Sequence, residues 1–367
     1  MSEYLPGLVE VRRGSIVESR HHGSIVAVEP DGRLIARLGD ESMVVSTRSA
    51  IKPIQAIGVV TTGAADRFNI SSREMAVICS SHEGEAMHTQ TVAHILVRLG
   101  LDEHSLMCGA HRPYSEETAS RLDREGLPYS TLHNNCSGKH AGMLATAVHL
   151  GLSTTDYVSS EHPVQQGIVS LLGRISGFNR TITTAIDGCS APTFGIPLIS
   201  LALAFARLVN PWSGSTASGN RTPSEGSHGF MPSGLGSDEA VAAKWIIAAM
   251  TAHPEMVGGT KGRLDTDLMR VSRGKLISKI GAESVHAIGV LPGERFPRGL
   301  GLAVKIEDGA KRGLTPVVIE ALSQLGILEE REIVALAGYH APQVENHRGI
   351  RVGEVRAVFD LGYKRNL

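Results

Sequence analysis

Seven consecutive residues, Asn134-Asn135-Cys136-Ser137-Gly138-Lys139-His140, put a thiol, an amine, a hydroxyl, an imidazole and two carboxamides into one short run. The residues after them, Ala141 to Ala147, read as a helix. At a helix start, free backbone N–H groups and the helix dipole favour anions and lower thiol pKa values. A plain cap needs only one Ser or Asn, so the run as a whole reads as a site. Three further stretches carry chemistry. Thr47 to Pro53 holds Ser49 and Lys52 in a Ser-x-x-Lys pair where strand turns into helix. Residues three apart on a helix share a face, and a lysine made neutral by burial and neighbouring cations takes a serine proton. Helix-terminal N–H groups near Ser49 would hold an oxyanion. The same pair also serves as a cap plus a solvated Lys. Cys79-Ser80-Ser81-His82-Glu83-Gly84-Glu85 sets two hydroxyls, an imidazole and two acids before a helix. It reads either as a capping box or with Ser81 as a second site hydroxyl. Lys279, between Ser278 and Gly281, fits a surface strand charge or an inner-edge strand where glycine permits close approach.

Cys136 with Lys139, and Asp187-Gly188-Cys189, raise the question of metal. Two cysteines far apart in sequence bind zinc if the fold joins them. His140 or His133 would be the ordinary additional ligands, a lysine amine ligates only when neutral, and two inert buried thiols are the simplest alternative.

The elements that must position these groups are read from patterning. Residues 8–50 alternate apolar and polar with turn signals between, which predicts strands at Val9–Arg13, Gly23–Val28 and Met43–Ser46, a tight turn at Pro30-Asp31-Gly32, and an antiparallel meander. Helical spacing predicts helices over 53–66, 85–99 and 115–126, from Ser159 to about Gly173, and a strongly apolar one that Gly195-Ile196-Pro197 leads into and that runs through Leu208. Helix resumes near Ser237, a strand is expected at 298–306, a helix from Pro316 to Gln324, and a closing strand from Val352 to Phe359. The expected fold is α/β (α+β) in one domain: an antiparallel sheet from roughly 1–52 and 270–367, a helical subdomain from roughly 53–269, and a flexible Gly/Ser/Thr/Asn-rich insertion at 210–230.

Composition bounds the function. Hydrophobic residues make 42% of 367, enough for a globular core, and the length allows two or three units or one large α/β domain. A net charge of −1 argues against nucleic acid or an anionic membrane surface, which need a basic face. Four cysteines in so long a chain do not make a disulfide scaffold. No apolar stretch reaches about 18 residues, so no membrane span is expected, and no signal-peptide pattern opens the chain. The expectation is cytoplasmic.

Arg48-Ser49-Ala50-Ile51-Lys52-Pro53, Ser81-His82, Cys108-Gly109, His133 through Met143, Asp187-Gly188-Cys189 and Ser278 through Glu283 together resemble one family, the bacterial L-asparaginase II family of the rhizobial inducible or thermolabile type. The resemblance implies a fold similar to the serine β-lactamases and penicillin-binding enzymes, a homodimer, and hydrolysis of L-asparagine to L-aspartate and ammonia. By position it implies Ser49 as nucleophile with Lys52 as its base, and Ser81 with Lys279 as a second Ser–Lys pair. It implies zinc on Cys136, Lys139 and Cys189 with water completing the shell, Asp187 and His140 as groups behind these, and Arg48 as a site neighbour. Two other readings differ in class. A β-lactamase-like amidase would share Ser-x-x-Lys but also carry Ser-Asp-Asn and Lys-Thr-Gly, and neither tripeptide occurs. A non-catalytic, zinc-dependent asparagine sensor would bind without releasing ammonia.

Overall fold

The computed structural model describes residues 5–211 and 234–363, so the insertion expected at 210–230 lies, from 212 on, outside the described residues. The main sheet is antiparallel and drawn from both chain ends. Strands β1 (Gly7–Arg13), β2 (Ile16–Val28) and β3 (Leu34–Leu38) come from the first. They join β7 (Leu276–Ile280), β8 (Val285–Val290), β9 (Leu300–Ile306), β10 (Gln343–Glu345) and β11 (Arg351–Ala357) from the second. The order is β10-β11-β1-β2-β9-β8-β7, with β3 on β2. This is the expected mixed α/β class, with helices inserted between the two halves of an antiparallel sheet.

Burial along β2 explains the layering. Its first half alternates, as a strand with one covered face does, while Gly23–Val28 is buried throughout. The Leu198–Val209 helix, in which every residue is buried, packs on β2, β8 and β9, and the Lys311–Gln324 helix packs on β1, β9 and β11. Strand β9, between them, loses contact with water on both sides, hence its near-continuous apolar run, while β8 is covered by the first helix and by the Arg48–Ile51 turn.

The meander expected over 8–50 holds only as far as β3. Strand β4 (Val44–Ser46) leaves it and pairs with β6 (Pro192–Pro197), which pairs in turn with β5 (Thr183–Ile186). The partners β6 and β5 have no clear sequence signal, since β5 is exposed throughout and shows no alternation. The helix expected over 53–66 stops at Thr61 and restarts at Ala64, because Gly63 takes a left-handed φ of 86° between the two pieces. The helix expected from Pro316 begins at Lys311 and carries Pro316 in its interior.

The helices Lys52–Thr61, Ser72–Ile78, Ser137–His149 and Ser237–Ala252 form a packed group beside the sheet. Gly138 permits the closest approach in it. A Cβ there would fall 2.0 Å from the Val77 carbonyl oxygen, so only glycine lets the Ser137 helix lie on the Ser72–Ile78 helix.

Candidate active site

The seven-residue run divides its labour. Asn134 ties the loop down: its amide donates to the Cys108 (2.8 Å) and Gly109 (3.0 Å) carbonyls, and its oxygen accepts from the Cys136 N–H (2.8 Å). Ser137 donates to the Leu132 carbonyl (3.0 Å) and meets His82 Nε2 at 2.9 Å. Cys136 and Lys139, on the first turn of the Ser137–His149 helix, are both buried. Cys189 reaches them from a tight turn between β5 and β6, where Ser190 donates its N–H to the Asp187 carbonyl (2.9 Å) at a φ of 67°. Lys139 Nζ donates to Cys189 Sγ at 3.0 Å, and the Cys136 and Cys189 side chains hydrogen-bond each other.

The hydrogen bond between the two thiols shifts them in opposite directions. Its hydrogen bond from Cys189, with Lys52 and Lys139 nearby, holds Cys136 well below the usual thiol value, and the same bond together with burial raises Cys189. Burial alone would lower the Lys139 amine; Cys189 and Cys136 outweigh it and hold it up at about 12. Two sulfurs and one amine therefore converge, a soft donor set suited to zinc once the amine and the second thiol give up their protons. Among the described residues no group of three or more His, Cys, Asp or Glu gathers; the third donor beside the two thiols is the Lys139 amine.

A cavity of about 510 Å³ lies against this cluster, lined among others by Arg48, Ser49, Ser81, Cys136, Asp187 and Cys189. Ser49, half-buried, sits in a short 3-10 turn, Arg48–Ile51, that leads into the Lys52–Thr61 helix. Arg48 before it holds a φ of 46°, a left-handed conformation that costs a non-glycine residue about 1 kcal/mol. The Arg48 guanidinium donates to Asp187 Oδ1 at 2.8 Å, which ties the turn to the Cys189 loop. Gly281, just past β7, closes the other side: a Cβ there would fall 3.1 Å from the Thr47 carbonyl oxygen and 2.5 Å from a Val285 methyl.

Ser81 is the meeting point of the lysines. Lys279 Nζ donates to Ser81 Oγ at 2.9 Å and to the Ile280 carbonyl at 3.0 Å. Lys52 Nζ also donates to Ser81 Oγ (3.1 Å), to the Asn135 carbonyl (3.3 Å) and to the Ser80 carbonyl. Both lysines are buried. Among the described residues the Lys52 backbone N–H donates to the Ser49 carbonyl, but no side-chain hydrogen bond joins the Ser49 hydroxyl to the Lys52 amine. The Lys52 side chain extends instead toward the Ser80-Ser81 loop. Burial brings the Lys279 amine down to about 7, with Lys52 and Arg263 lowering it further and Asp265 opposing. A lysine at that level is neutral in a large fraction near pH 7 and can accept a proton.

Asp187 lines the cavity beside Arg48, whereas His140 is buried behind Lys139, its Nδ1 2.7 Å from the Tyr157 hydroxyl. Asp265, Arg263 and Glu83 also line the cavity. Arg263 donates to Glu83 Oε1 (2.9 Å) and to the Ser81 carbonyl (2.9 Å). Sequence reading picks out the stretches that hold them, Cys79–Glu85 and Gly262–Leu268, but gives none of the three an individual role, because the strand that buries Asp265 lies 15 residues on and meets it only through tertiary packing.

The sequence model of one family, L-asparaginase II, matches residues 9–357, and the chain belongs to that family of amidohydrolases. Among curated proteins none matches. Among solved structures the chain is similar to a probable glutaminase from Bacillus subtilis complexed with 6-diazo-5-oxo-L-norleucine (14% identity, 83% of this chain and 84% of that one, TM-score 0.38). It is similar also to the Bacillus subtilis glutaminase YbgJ in covalent complex with 5-oxo-L-norleucine (15% identity, 84% and 89%, TM-score 0.36). Likeness at that level says nothing of substrate or mechanism. No described helix is long and apolar enough to cross a membrane.

Proposed function

Starting from a member of the L-asparaginase II family, we propose that this amidohydrolase is an L-asparaginase, converting L-asparagine to L-aspartate and ammonia through an acyl-enzyme on Ser49. The observation that carries this reading is the Ser81 hydroxyl held between the Lys279 and Lys52 amines, at the wall of the cavity that Ser49 also lines.

The steps balance without an outside reagent. Ser49 Oγ attacks the side-chain amide carbonyl, and its proton passes into the Lys52–Ser81–Lys279 chain. The C–N bond breaks, and the chain returns a proton to the departing nitrogen, which leaves as ammonia. Water then attacks the aspartyl ester, the ester C–O bond breaks, and Ser49 regains its proton. A backbone N–H beside Ser49 would serve the developing oxyanion; those of Arg48 and Ala50 already donate to Thr193 Oγ1 (3.1 Å) and the Thr47 carbonyl (3.0 Å). Arg48, paired with Asp187, supplies charge of both signs at the rim for a zwitterionic amino acid.

Zinc belongs to the same proposal. Cys136, Lys139 and Cys189 would hold it, and when bound it would supply a fixed positive charge at the cavity wall that favours substrate carboxylate binding. The chain's own residues carry the proton steps. A cytoplasmic homodimer completes the reading, checked by cell fractionation and light scattering.

A coupled ammonia assay on purified protein, with asparagine and glutamine side by side, tests the function. Asparagine should turn over, and Ser49→Ala should release no ammonia while keeping its fold. A folded Ser49→Ala protein with near-wild-type turnover refutes the assignment. One observation favours a second reading: both lysine hydrogen bonds fall on Ser81, so Ser81 itself would be the nucleophile. It predicts that Ser81→Ala traps no acyl-enzyme while Ser49→Ala still does.

A further inference from the structure

Asp265 opens the Leu264–Val271 helix and is 1% exposed. Its carboxylate is spent on β7 and the strand beside it. Oδ1 accepts from Ser278 Oγ (2.7 Å) and lies 3.1 Å from His286 Nε2, which also meets Ser278 Oγ at 2.7 Å. Oδ2 accepts from the Ile280 N–H (3.0 Å) and lies 3.7 Å from Lys279 Nζ. One buried acid thus holds the residues on both sides of Lys279 and faces its amine. A structural ion pair alone would not need that arrangement, since the Lys279 amine already has two closer acceptors in Ser81 Oγ and the Ile280 carbonyl.

We propose that Asp265 is a positioning residue for the amide hydrolysis: it fixes the Lys279 amine on the Ser81 hydroxyl and, as the anion facing that amine, sets how tightly it holds a proton. The inference rests on the reading of Lys279 as part of the proton chain. The groups facing Lys279 come from several elements: Asp265 from its helix, Arg263 before it, Lys52, Cys136, Cys79 and, through Asp265, His286 on β8. Burial, Lys52 and Arg263 disfavour the ammonium, while Asp265 and Cys136 favour it. Asp265 is itself held ionised: burial acts to protonate it, and Lys279, His286 and the Ile280 N–H outweigh that. Without the carboxylate's charge the Lys279 amine sheds its proton at lower pH.

The test is Asp265→Asn in the full chain, with ammonia release measured as kcat/KM against pH. The acid limb should move to lower pH by about 1–3 units, the range for losing an opposite charge within about 4–6 Å, and kcat on the plateau should fall. Ser278→Ala removes one hydrogen bond to the same carboxylate but no charge, and should leave the limb in place. An Asp265→Asn enzyme that is slower with an unmoved limb overturns the proposal, because that is what a purely structural acid would give. Lys279 is followed independently by 13C NMR of labelled lysine, its signal assigned with Lys279→Arg. Its midpoint should fall in Asp265→Asn, or in Asp265→Ser should the first variant not fold; an unchanged midpoint overturns the proposal. Absence of ammonia release from the wild-type protein would count against the amidohydrolase reading, while the NMR midpoint would still decide the role of Asp265.

Discussion

Gly281→Ala should separate the two walls of the site with a single methyl group. The added Cβ would stand 2.5 Å from a Val285 methyl, 3.1 Å from the Thr47 carbonyl oxygen and 3.3 Å from the Ala50 nitrogen. Carbon pairs settle at about 3.5–4.0 Å, so the Val285 contact asks for a movement of about 1 Å and the backbone contacts for a few tenths. Val285 is 1% exposed and stiff at χ1, so the strain is shared with the Thr47–Ala50 turn. That turn is closed by the Ala50 N–H to the Thr47 carbonyl (3.0 Å), and Ser49 sits inside it. Overpacking of this kind costs about 1–3 kcal/mol, partly offset by roughly 0.4–1 kcal/mol from a stiffer unfolded chain. Displacing a nucleophile by up to about 1 Å costs as much as 100-fold in rate. The variant should therefore unfold at lower denaturant and lose about 10- to 100-fold in kcat with KM little changed, read by urea unfolding and the ammonia assay. Gly167→Ala is the matched control: it lies inside the Pro163–Ser176 helix with no atom within 4 Å of the new Cβ. It should stabilise by about 0.5–1 kcal/mol and leave activity alone. A folded Gly281→Ala enzyme within twofold of wild-type kcat would refute the argument that glycine there holds the walls in register.

Two further outcomes are expected of the site. Turnover should rise with pH through about 7, because Lys279, brought down to about 7 by burial, accepts a proton only when neutral and is increasingly charged below that pH; a kcat/KM profile flat from pH 6 to 8 would contradict this. Cys189→Ala should fall from about one zinc per chain to near none by elemental analysis and show a raised KM, and carefully purified wild-type protein without zinc would sink the metal assignment.

The sequence made the sheet legible at its ends, because β1, β2, β9 and β11 alternate or run apolar between turn residues. Strand β4 was legible at Met43–Ser46, but strand β8 and the partners β6 and β5 were not, since Thr183–Ile186 is exposed throughout and shows no alternation. The chemistry-bearing residues stood out by type, but their partners did not. Ser-x-x-Lys spacing suggests that Lys52 serves Ser49, and the side-chain hydrogen bonds of Lys52 run to Ser81, 29 residues on, and to the Ser80 and Asn135 carbonyls, partners that only tertiary packing brings to it. Gly281 was readable as a close-approach residue from its place after Ser278-Lys279. Asp265 was not readable, because its partners are a strand amide and a histidine that only tertiary packing brings to it.

The most direct test of the acyl-enzyme is to quench wild-type turnover of asparagine in acid and map the peptides by mass. The account predicts an aspartyl ester on the peptide carrying Ser49, absent in Ser49→Ala. An ester found on Ser81 instead, or none at any serine under conditions of steady ammonia release, would contradict it.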